Sequence, residues 1–311
     1  MSNFDPKSLI DLDVCVTNAL ELFVDPKTKF PQVGFDRFTR PLVVGSGNAA
    51  ATGRIVFADK DAVFADESTY LDKLQAISTI DGVVLFSASG GKHAPIIAKT
   101  VKQKGLHVML FTCNPSSSAG PDVDESYVFP SRPEPYTYNT STYMSMILTK
   151  EAKDPHKEAG RILDHIKKAV DPALARFDKS LAGFDAFFLL VPEQFDLIRV
   201  MLTTKFVELF ARRIARDVFT REQAKHATTV VEADKELFIA FGRENTFWGK
   251  DKLNIPLPDN PGYAAIMAVG YYVIGKIQAA KPAWFKQALP GYCNQAKNWF
   301  GKEMLLIVEY G

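Results

Sequence analysis

The 311-residue sequence predicts an α/β protein with two doubly wound, mostly parallel sheets, each flanked by helices. Three observations lead to this prediction. Apolar strand-like runs alternate with helical stretches, the alternation returns after a charged helical segment, and two early strands end in small-residue loops. Strands that are apolar throughout need cover on both faces, which is the arrangement of a parallel sheet between helices.

The first half of the chain begins with a predicted helix at 7–24. Its apolar residues recur near helical spacing: Leu9, Leu12, Val16, Leu20 and Phe23. Strands are then predicted at 41–47, 81–89, 106–114 and 125–131. Helices are predicted between the first three of them, at about 48–56, 67–77 and 94–104.

The second half repeats this plan after a charged stretch at 151–180, which is predicted to be a connecting helix. Its apolar stripe is Ile162, Ile166, Val170 and Leu174. Strands are predicted at 184–193, at 235–242 and in the closing "MLLIVEYG", helices at 194–216 and 261–279, and a loop at 254–262. The predicted organisation is an N-terminal helical segment (1–34), a first domain (35–150), the connecting helix (151–180), a second domain (181–300) and a C-terminal strand that reaches the site (301–311).

Composition excludes several classes of function. A net charge of +1 gives no overall field for nucleic acid or acidic membranes, and no apolar run reaches the ~18 residues of a membrane span. The N-terminus lacks the layout of a signal peptide, and three distant cysteines indicate reduced thiols, so a cytoplasmic location is predicted. The five histidines show no paired spacing, and neither a metal site nor a cofactor is expected.

Two predicted strands end in loops with the composition of anion sites, "VVGSGNAA" (43–50) and "FSASGGKH" (86–93). Glycines let the backbone approach an anion, serine hydroxyls add donors, and the following helix starts favour negative charge. The candidate ligands are Ser46, Gly47, Ser87, Ser89, Gly90 and Gly91. The alternative is that glycine and serine only form βα turns. The spacing of "GSGNAAATG" is not that of a dinucleotide-binding fingerprint.

A family resemblance rests on "VVLFSASGGKHAPIIAKTVKQKGLHVMLFTCNPSSS", which resembles the sugar isomerase (SIS) domain. The resemblance implies that an S-x-S-G-x-T loop binds a sugar phosphate, with Ser87 and Ser89 at its serine positions. Lys92 stands at the threonine position. One possibility is that Lys92, as a cation, still holds a phosphate. The other is that the ligand carries a different anionic group or none.

The resemblance continues through "SRPEPYTYNTSTYMSMI" (131–147), which is similar to the P-E…S-T segment of glucosamine-6-phosphate synthase isomerase domains. It implies that Glu134, Ser141 and Thr142 contribute to substrate binding. Arg132, close to this segment, is a candidate for stabilising enediolate charge.

Glu208 is the candidate general base. It lies in a predicted helix whose same face carries small and apolar residues: Leu197, Met201, Thr204, Ala211 and Ala215. A desolvated carboxylate becomes more basic, as proton abstraction requires. The alternative is an ordinary salt bridge to Arg212 at i+4.

With His226, this stretch resembles the "K-x-x-E…E-L-K-H-G" pattern of SIS isomerases, although the 18-residue spacing is two longer than usual and Ala227 replaces the glycine. The resemblance implies that Glu208 moves a proton between C1 and C2. It implies that His226, supplied by a neighbouring subunit, opens the sugar ring.

The C-terminus resembles the end of two-domain SIS isomerases: a helix, a proline-containing connection, and a lysine before a final strand. Lys302 matches that lysine, and Lys297 is the alternative.

The resemblance therefore implies a homodimeric aldose–ketose isomerase of the hexose 6-phosphate class, similar to the bifunctional phosphoglucose/phosphomannose isomerases. It would act through a cis-enediol(ate) without metal or cofactor. A non-catalytic or regulatory phosphosugar-binding protein is the alternative, and an amino-sugar deaminase or isomerase is a third possibility.

Overall fold

The computed structural model describes residues 8–301 and 304–310, and the chain divides into two compact units. The first unit contains Leu22–Arg132, Ser141–Ala159 and the chain from Glu309 onward. The second unit contains the chain up to Glu21, with Pro133–Thr140 and Gly160–Val308. Each unit holds one parallel sheet with helices, which confirms the predicted fold class. The domain boundaries given above stay predictions.

The first unit is built on a five-stranded parallel sheet with the strand order β2-β1-β3-β4-β5. After helix α1 (Leu12–Val24), its elements are β1 (Pro41–Val44), α2 (Asn48–Val56), β2 (Val63–Ala65), α3 (Tyr70–Ala76), β3 (Gly82–Phe86), α4 (His93–Gln103), β4 (His107–Thr112) and β5 (Glu125–Val128). The three central strands are buried along almost their whole length, as their apolar sequences require. Strand β2, which was not predicted, is a three-residue edge strand and is too short for a periodic signal.

Two further elements follow β5 in the chain. They are the short strand β6 (Glu134–Pro135) and helix α5 (Thr140–Glu151), which was not predicted. The predicted connecting helix is α6 (Pro155–His165), a π-helical turn (Ile166–Val170) and α7 (Asp171–Ala175). Its stripe residues Ile162, Ile166 and Val170 are fully buried, which confirms the helical periodicity.

The second unit contains a four-stranded parallel sheet with the order β10-β9-β7-β8. Its elements are β7 (Ala186–Val191), α8 (Ile198–Phe210), β8 (Ala215–Thr220), α9 (Arg221–Ala224), β9 (Glu236–Phe241), β10 (Asp251–Ile255), α10 (Tyr263–Ala280), α11 (Trp284–Phe300) and β11 (Ile307–Val308). Helix α10 is buried along most of its length, which explains why its sequence is apolar on all faces. Strand β11 pairs antiparallel with β6.

The helix predicted over 194–216 is too long. It ends at Phe210, where Ala211 adopts φ +49°, and residues Ala215–Thr220 form the edge strand β8. Arg216 and Asp217 in this strand are polar because one side of an edge strand faces solvent, so its sequence lacks the apolar run of an interior strand. Ala215 therefore does not share a helix face with Glu208.

The connection between α10 and α11 near the C-terminus contains Pro282. Pro290 lies inside α11, a helix of 17 residues. Proline removes one helical hydrogen bond and usually ends a helix. The helix continues because its apolar residues Leu289, Cys293 and Ala296 pack into the unit.

The three cysteines are buried and not disulfide-linked. Burial raises the pKa of the Cys15 thiol strongly, with the charge of Glu134 acting in the same direction, and burial also raises the pKa of Cys293. Thiols in such surroundings are poor nucleophiles, as expected of packing residues. Among the described residues, no helix combines the length and hydrophobicity needed to cross a bilayer.

Candidate functional site

The serine–glycine loop joins β3 to α4 in the first unit. Strands β1 and β3 pair in parallel, with Val44 opposite Leu85, so the loop after β1 and the loop after β3 leave the sheet at the same edge. Both loops line a cavity of about 170 Å³, to which Ser46, Ser87 and Ser89 contribute. The structure thus brings together the serines predicted to bind an anion.

The backbone of this loop is fixed by the segment that follows β4. The Gly90 carbonyl accepts hydrogen bonds from Ser117 Oγ at 3.0 Å and from the Ala119 amide at 3.1 Å. Asn114 Nδ2 donates to the Ser89 carbonyl at 3.0 Å. These bonds hold the loop carbonyls on the β4 side, so the loop is preorganised. Neither Asn114 nor Ser117 was predicted to fix this loop.

Helices α2 and α4 begin in the same unusual way. Gly47 precedes α2 with φ 54° and ψ −124°, and Lys92 precedes α4 with φ 51° and ψ −106°. This region is normally taken by glycine, and a side chain there costs about 1–3 kcal/mol. Lys92 nevertheless adopts this conformation. Lys92 and His93 both line the cavity. The first amides of each helix have no partner within their helix and favour an anion nearby.

Ser46 is already engaged with a carboxylate. Its hydroxyl donates a short hydrogen bond to Glu67 Oε2, and both residues line the cavity. Glu67 was missed because it follows the unpredicted strand β2, which pairs with β1 and places Ala65 beside Val44. Ser46 was predicted to donate to an anion, but in this structure it donates to Glu67.

Gly90→Ala is expected to destabilise the protein by about 1–3 kcal/mol and to weaken anion binding. Gly90 has φ +58°, and a Cβ there would lie 1.9 Å from Ser117 Oγ, so the loop would have to move. The measurements are urea unfolding and phosphate titration by calorimetry. Gly105→Ala is the matched control, since it has φ +74° and nothing within 4 Å of its Cβ position. Equal effects of both substitutions would show that the Ser117 contact is unimportant.

The second candidate region contains Glu208, near the end of α8 in the second unit. Lys205, one helical turn earlier, donates to Glu208 Oε2 at 2.6 Å and to the Thr137 carbonyl at 2.6 Å. The Lys205 side chain is fully buried, whereas that of Glu208 is 26% exposed. A buried ammonium requires such partners, and the ring of Tyr271 lies 5.5 Å from it.

The salt-bridge alternative for Glu208 named the wrong partner. Arg212 lies beyond Phe210, the last residue of α8, and the observed partner is Lys205 at i−3. The K-x-x-E spacing in the sequence was the available signal for this pair. Thr137, whose carbonyl completes the site, has φ +76°, an uncommon conformation for a β-branched residue.

Glu208 lines a cavity of about 730 Å³ within the second unit. Aromatic residues form much of its wall, among them Tyr136, Trp284 and Phe285, and burial raises the pKa of Tyr136. The guanidinium of Arg213 also lines the cavity and lies 5.1 Å from the centre of the Trp284 ring. The cavity is therefore lined by the Glu208 carboxylate, whose partner Lys205 is buried outside the lining, and by Arg213.

In the 131–142 segment, predicted site residues form hydrogen bonds to other residues of the same segment. Glu134 is buried and accepts a hydrogen bond from the Thr140 amide at 2.6 Å, at the start of α5. Ser141 Oγ accepts from the Arg132 amide at 3.0 Å, and Ser141 and Thr142 are buried. Arg132 itself is exposed. Their predicted roles toward a ligand stay predictions.

His226 and Lys297 are not among the residues that line the Glu208 cavity. His226 is exposed in the turn after α9, and its amide donates to the Gln223 carbonyl at 3.1 Å. Lys297 is exposed on α11. Lys302 lies outside the described residues. Within the described part of the chain, no three His, Cys, Asp or Glu side chains form a group that would hold a metal ion.

Comparison with known proteins shows which fold this is. No protein-family model matches the chain, and no curated protein matches it in sequence. Solved structures do match. The glucosamine-6-phosphate deaminase of Thermotoga maritima has a TM-score of 0.61 at 16% identity, over 86% of this chain and 92% of that chain.

Two further solved structures agree with this match. The tagatose-6-phosphate ketose/aldose isomerase of Escherichia coli has a TM-score of 0.58 at 13% identity, over 89% of this chain and 92% of that chain. The C-terminal domain of glucosamine-fructose-6-phosphate aminotransferase from Francisella tularensis has a TM-score of 0.56 at 12% identity, over 86% of this chain and 93% of that chain.

The chain has the fold of the SIS phosphosugar isomerases. The resemblance seen in the sequence is thus confirmed by structure. At identities of 12 to 16% the similarity establishes the SIS fold alone, and the reaction has to be argued from the residues.

Proposed function

We propose that this SIS protein binds a sugar phosphate and isomerises it between aldose and ketose forms, with hexose 6-phosphates as the substrate class. The observation that carries the proposal is Glu208, which lines the 730 Å³ cavity and is paired with the buried Lys205 behind it. A carboxylate held in one position, with one edge open to a cavity, fits the base in a proton transfer between adjacent carbons.

In the proposed reaction Glu208 removes the proton beside the substrate carbonyl and returns it one carbon away, through a cis-enediol(ate). Lys205 positions the carboxylate by its hydrogen bond to Oε2. The developing enediolate oxygen needs a cation or donor. Arg213 and Arg132 are both exposed, but only Arg213 is among the residues that line the cavity of Glu208, so it is the better candidate for this task.

The serine–glycine loop is assigned to the phosphoryl group. Its support is the preorganised backbone of Ser89 and Gly90, the start of α4, and the Lys92 side chain at the cavity. The names of the three similar structures above all contain a sugar 6-phosphate, which agrees with this assignment.

The test is turnover of hexose 6-phosphates in D₂O, followed by NMR. Transfer by a single carboxylate allows exchange with solvent, so the product is expected to carry deuterium at the carbon that receives the proton. Sugar phosphates are also expected to raise the melting temperature, while the free sugars leave it unchanged. Equal shifts from both would contradict the role of the loop, and absence of turnover would contradict the reaction.

A non-catalytic phosphosugar-binding protein is the second candidate. Lys92 in place of the family threonine and the Ser46–Glu67 hydrogen bond both depart from a standard phosphate loop. Tight binding of a sugar phosphate without turnover would select this function. The homodimer and the cytoplasmic location stay predictions, and light scattering tests the first of them.

His226→Ala tests the proposed ring-opening step. The residue is exposed, so its substitution is expected to leave stability within about 0.5 kcal/mol of wild type. If His226 reaches the site from a neighbouring subunit, turnover of the cyclic substrate falls more than turnover of an open-chain analogue. Equal rates of wild type and variant on the cyclic substrate would remove His226 from the mechanism.

A further inference from the structure

The loop cavity is chemically divided. On one side are groups that attract an anion, the start of α4 and Lys92, although the Gly90 and Gly91 amides already donate to Ser87 and Ser89. On the other side are Ser46 and Glu67, which come from the ends of β1 and β2. A fully deprotonated anion would be favoured by the first side and repelled by the second.

The hydrogen bond between Ser46 and Glu67 determines whether this side of the cavity presents donors or acceptors to a ligand. A serine hydroxyl has one proton, and here the proton is donated to Glu67 Oε2. Ser46 Oγ therefore presents only lone pairs to the cavity. A carboxylate likewise only accepts, so the Ser46–Glu67 pair is an acceptor surface facing the anion-binding loop.

Contact between the oxygens of an anion and the Ser46 and Glu67 oxygens would be unfavourable. Both sets of atoms only accept hydrogen bonds, so they repel one another, and each would lose its hydrogen bonds to water. The conflict disappears if the ligand brings a proton to this side. A P–OH group or a sugar hydroxyl next to the phosphoryl group supplies one.

We propose that the Ser46–Glu67 pair is a specificity element that requires a hydrogen-bond donor on the ligand, beside its anionic oxygens. The inference rests on the proposed function in one respect, that the loop binds an anion. It extends that function by excluding anions without a donor, such as sulfate, and by giving Glu67 the task of discrimination.

The test compares inorganic phosphate with sulfate at neutral pH, by calorimetric titration. Inorganic phosphate carries at least one proton at this pH, and sulfate carries none. Wild type is expected to bind phosphate about tenfold or more tightly than sulfate. Glu67→Gln supplies an amide donor at the same place, so its sulfate affinity is expected to rise until the two anions bind within about threefold.

Asp72→Asn is the matched control. It removes the same charge from an exposed position on α3, outside the residues that line the cavity, and is expected to keep the wild-type ratio. A similar change in Asp72→Asn and Glu67→Gln would overturn the inference, because a general charge effect would then explain both. Ser46→Ala, which leaves the carboxylate in place, is expected to keep the rejection of sulfate.

A further comparison identifies the source of the donor. If a sugar hydroxyl supplies it, glucose 6-sulfate binds nearly as well as glucose 6-phosphate although inorganic sulfate does not. If P–OH supplies it, both sulfates bind weakly. Equal affinity of wild type for inorganic phosphate and sulfate overturns the inference but leaves the anion role of the loop intact. If neither anion and neither sugar ester binds, both the inference and the anion role of the loop are wrong. If only turnover is absent, the proposed reaction alone is wrong.

Discussion

Glu208→Gln is expected to slow sugar-phosphate isomerisation by about 10²- to 10⁴-fold, the usual cost of losing a positioned general base. Glutamine keeps the size of the side chain and an oxygen that can accept from Lys205, but that oxygen does not take a proton from carbon. Binding is expected to change little, since the serine–glycine loop is untouched. The measurements are kcat in a coupled assay and the dissociation constant by calorimetry.

Glu222→Gln is a close control for Glu208→Gln. Glu222 pairs with Lys225 at 2.6 Å with the same number of residues between the partners, but this pair is exposed. Its loss is expected to change neither rate nor stability measurably. If Glu208→Gln turns over substrate at the wild-type rate, Glu208 is not the base.

A loss of stability would complicate this result, because Glu208 is the counter-charge of the buried Lys205 ammonium. Glu208→Asp separates the two effects. It keeps the negative charge but withdraws the carboxylate by one methylene, so the rate should fall while urea unfolding stays closer to wild type. Misplacing a base by about 1 Å can cost on the order of 10²-fold.

Phe111→Ala is expected to lower the free energy of unfolding by about 3–5 kcal/mol. Phe111 is fully buried near the C-terminal end of β4, and the centre of its ring lies 4.7 Å from that of Phe86, 5.2 Å from that of Phe129 and 5.7 Å from that of Tyr127. Alanine would leave a cavity that rigid strands on both sides do not close. Urea unfolding followed by circular dichroism measures the change.

The same substitution at an exposed position provides the control for Phe111→Ala. Phe247 is 80% exposed, so Phe247→Ala is expected to change the free energy of unfolding by less than about 0.5 kcal/mol. A loss below about 1 kcal/mol for Phe111→Ala would mean that the first sheet is not packed as described.

Local composition predicted the elements that are buried or strongly periodic. The interior strands β3, β4, β7 and β9 were found because each is an apolar run, and α1 because its stripe residues are all buried. Of the edge strands, β5 was predicted, whereas β2, β8 and β10 were missed. An edge strand lies against one neighbour only, so its sequence carries less of the apolar signal.

The site residues that were predicted are likewise those with a local signal in the sequence. The loop serines Ser87 and Ser89 were predicted because a strand, small residues and a helix follow one another within a few positions. Glu208 was predicted from its helix and from a resemblance. These features depend on neighbours in sequence, and the structure keeps Ser87 and Ser89 at one cavity and Glu208 at another.

The sequence by itself determined the SIS fold class, the serine–glycine loop and the K-x-x-E helix, since each is encoded within a short stretch. Only the tertiary structure decided what these groups contact. Glu67 meets Ser46 because β2 pairs with β1, and the Thr137 carbonyl reaches Lys205 across 68 positions of the chain. Strand pairing and helix packing fix such contacts between distant residues, and no local pattern of residue types specifies them.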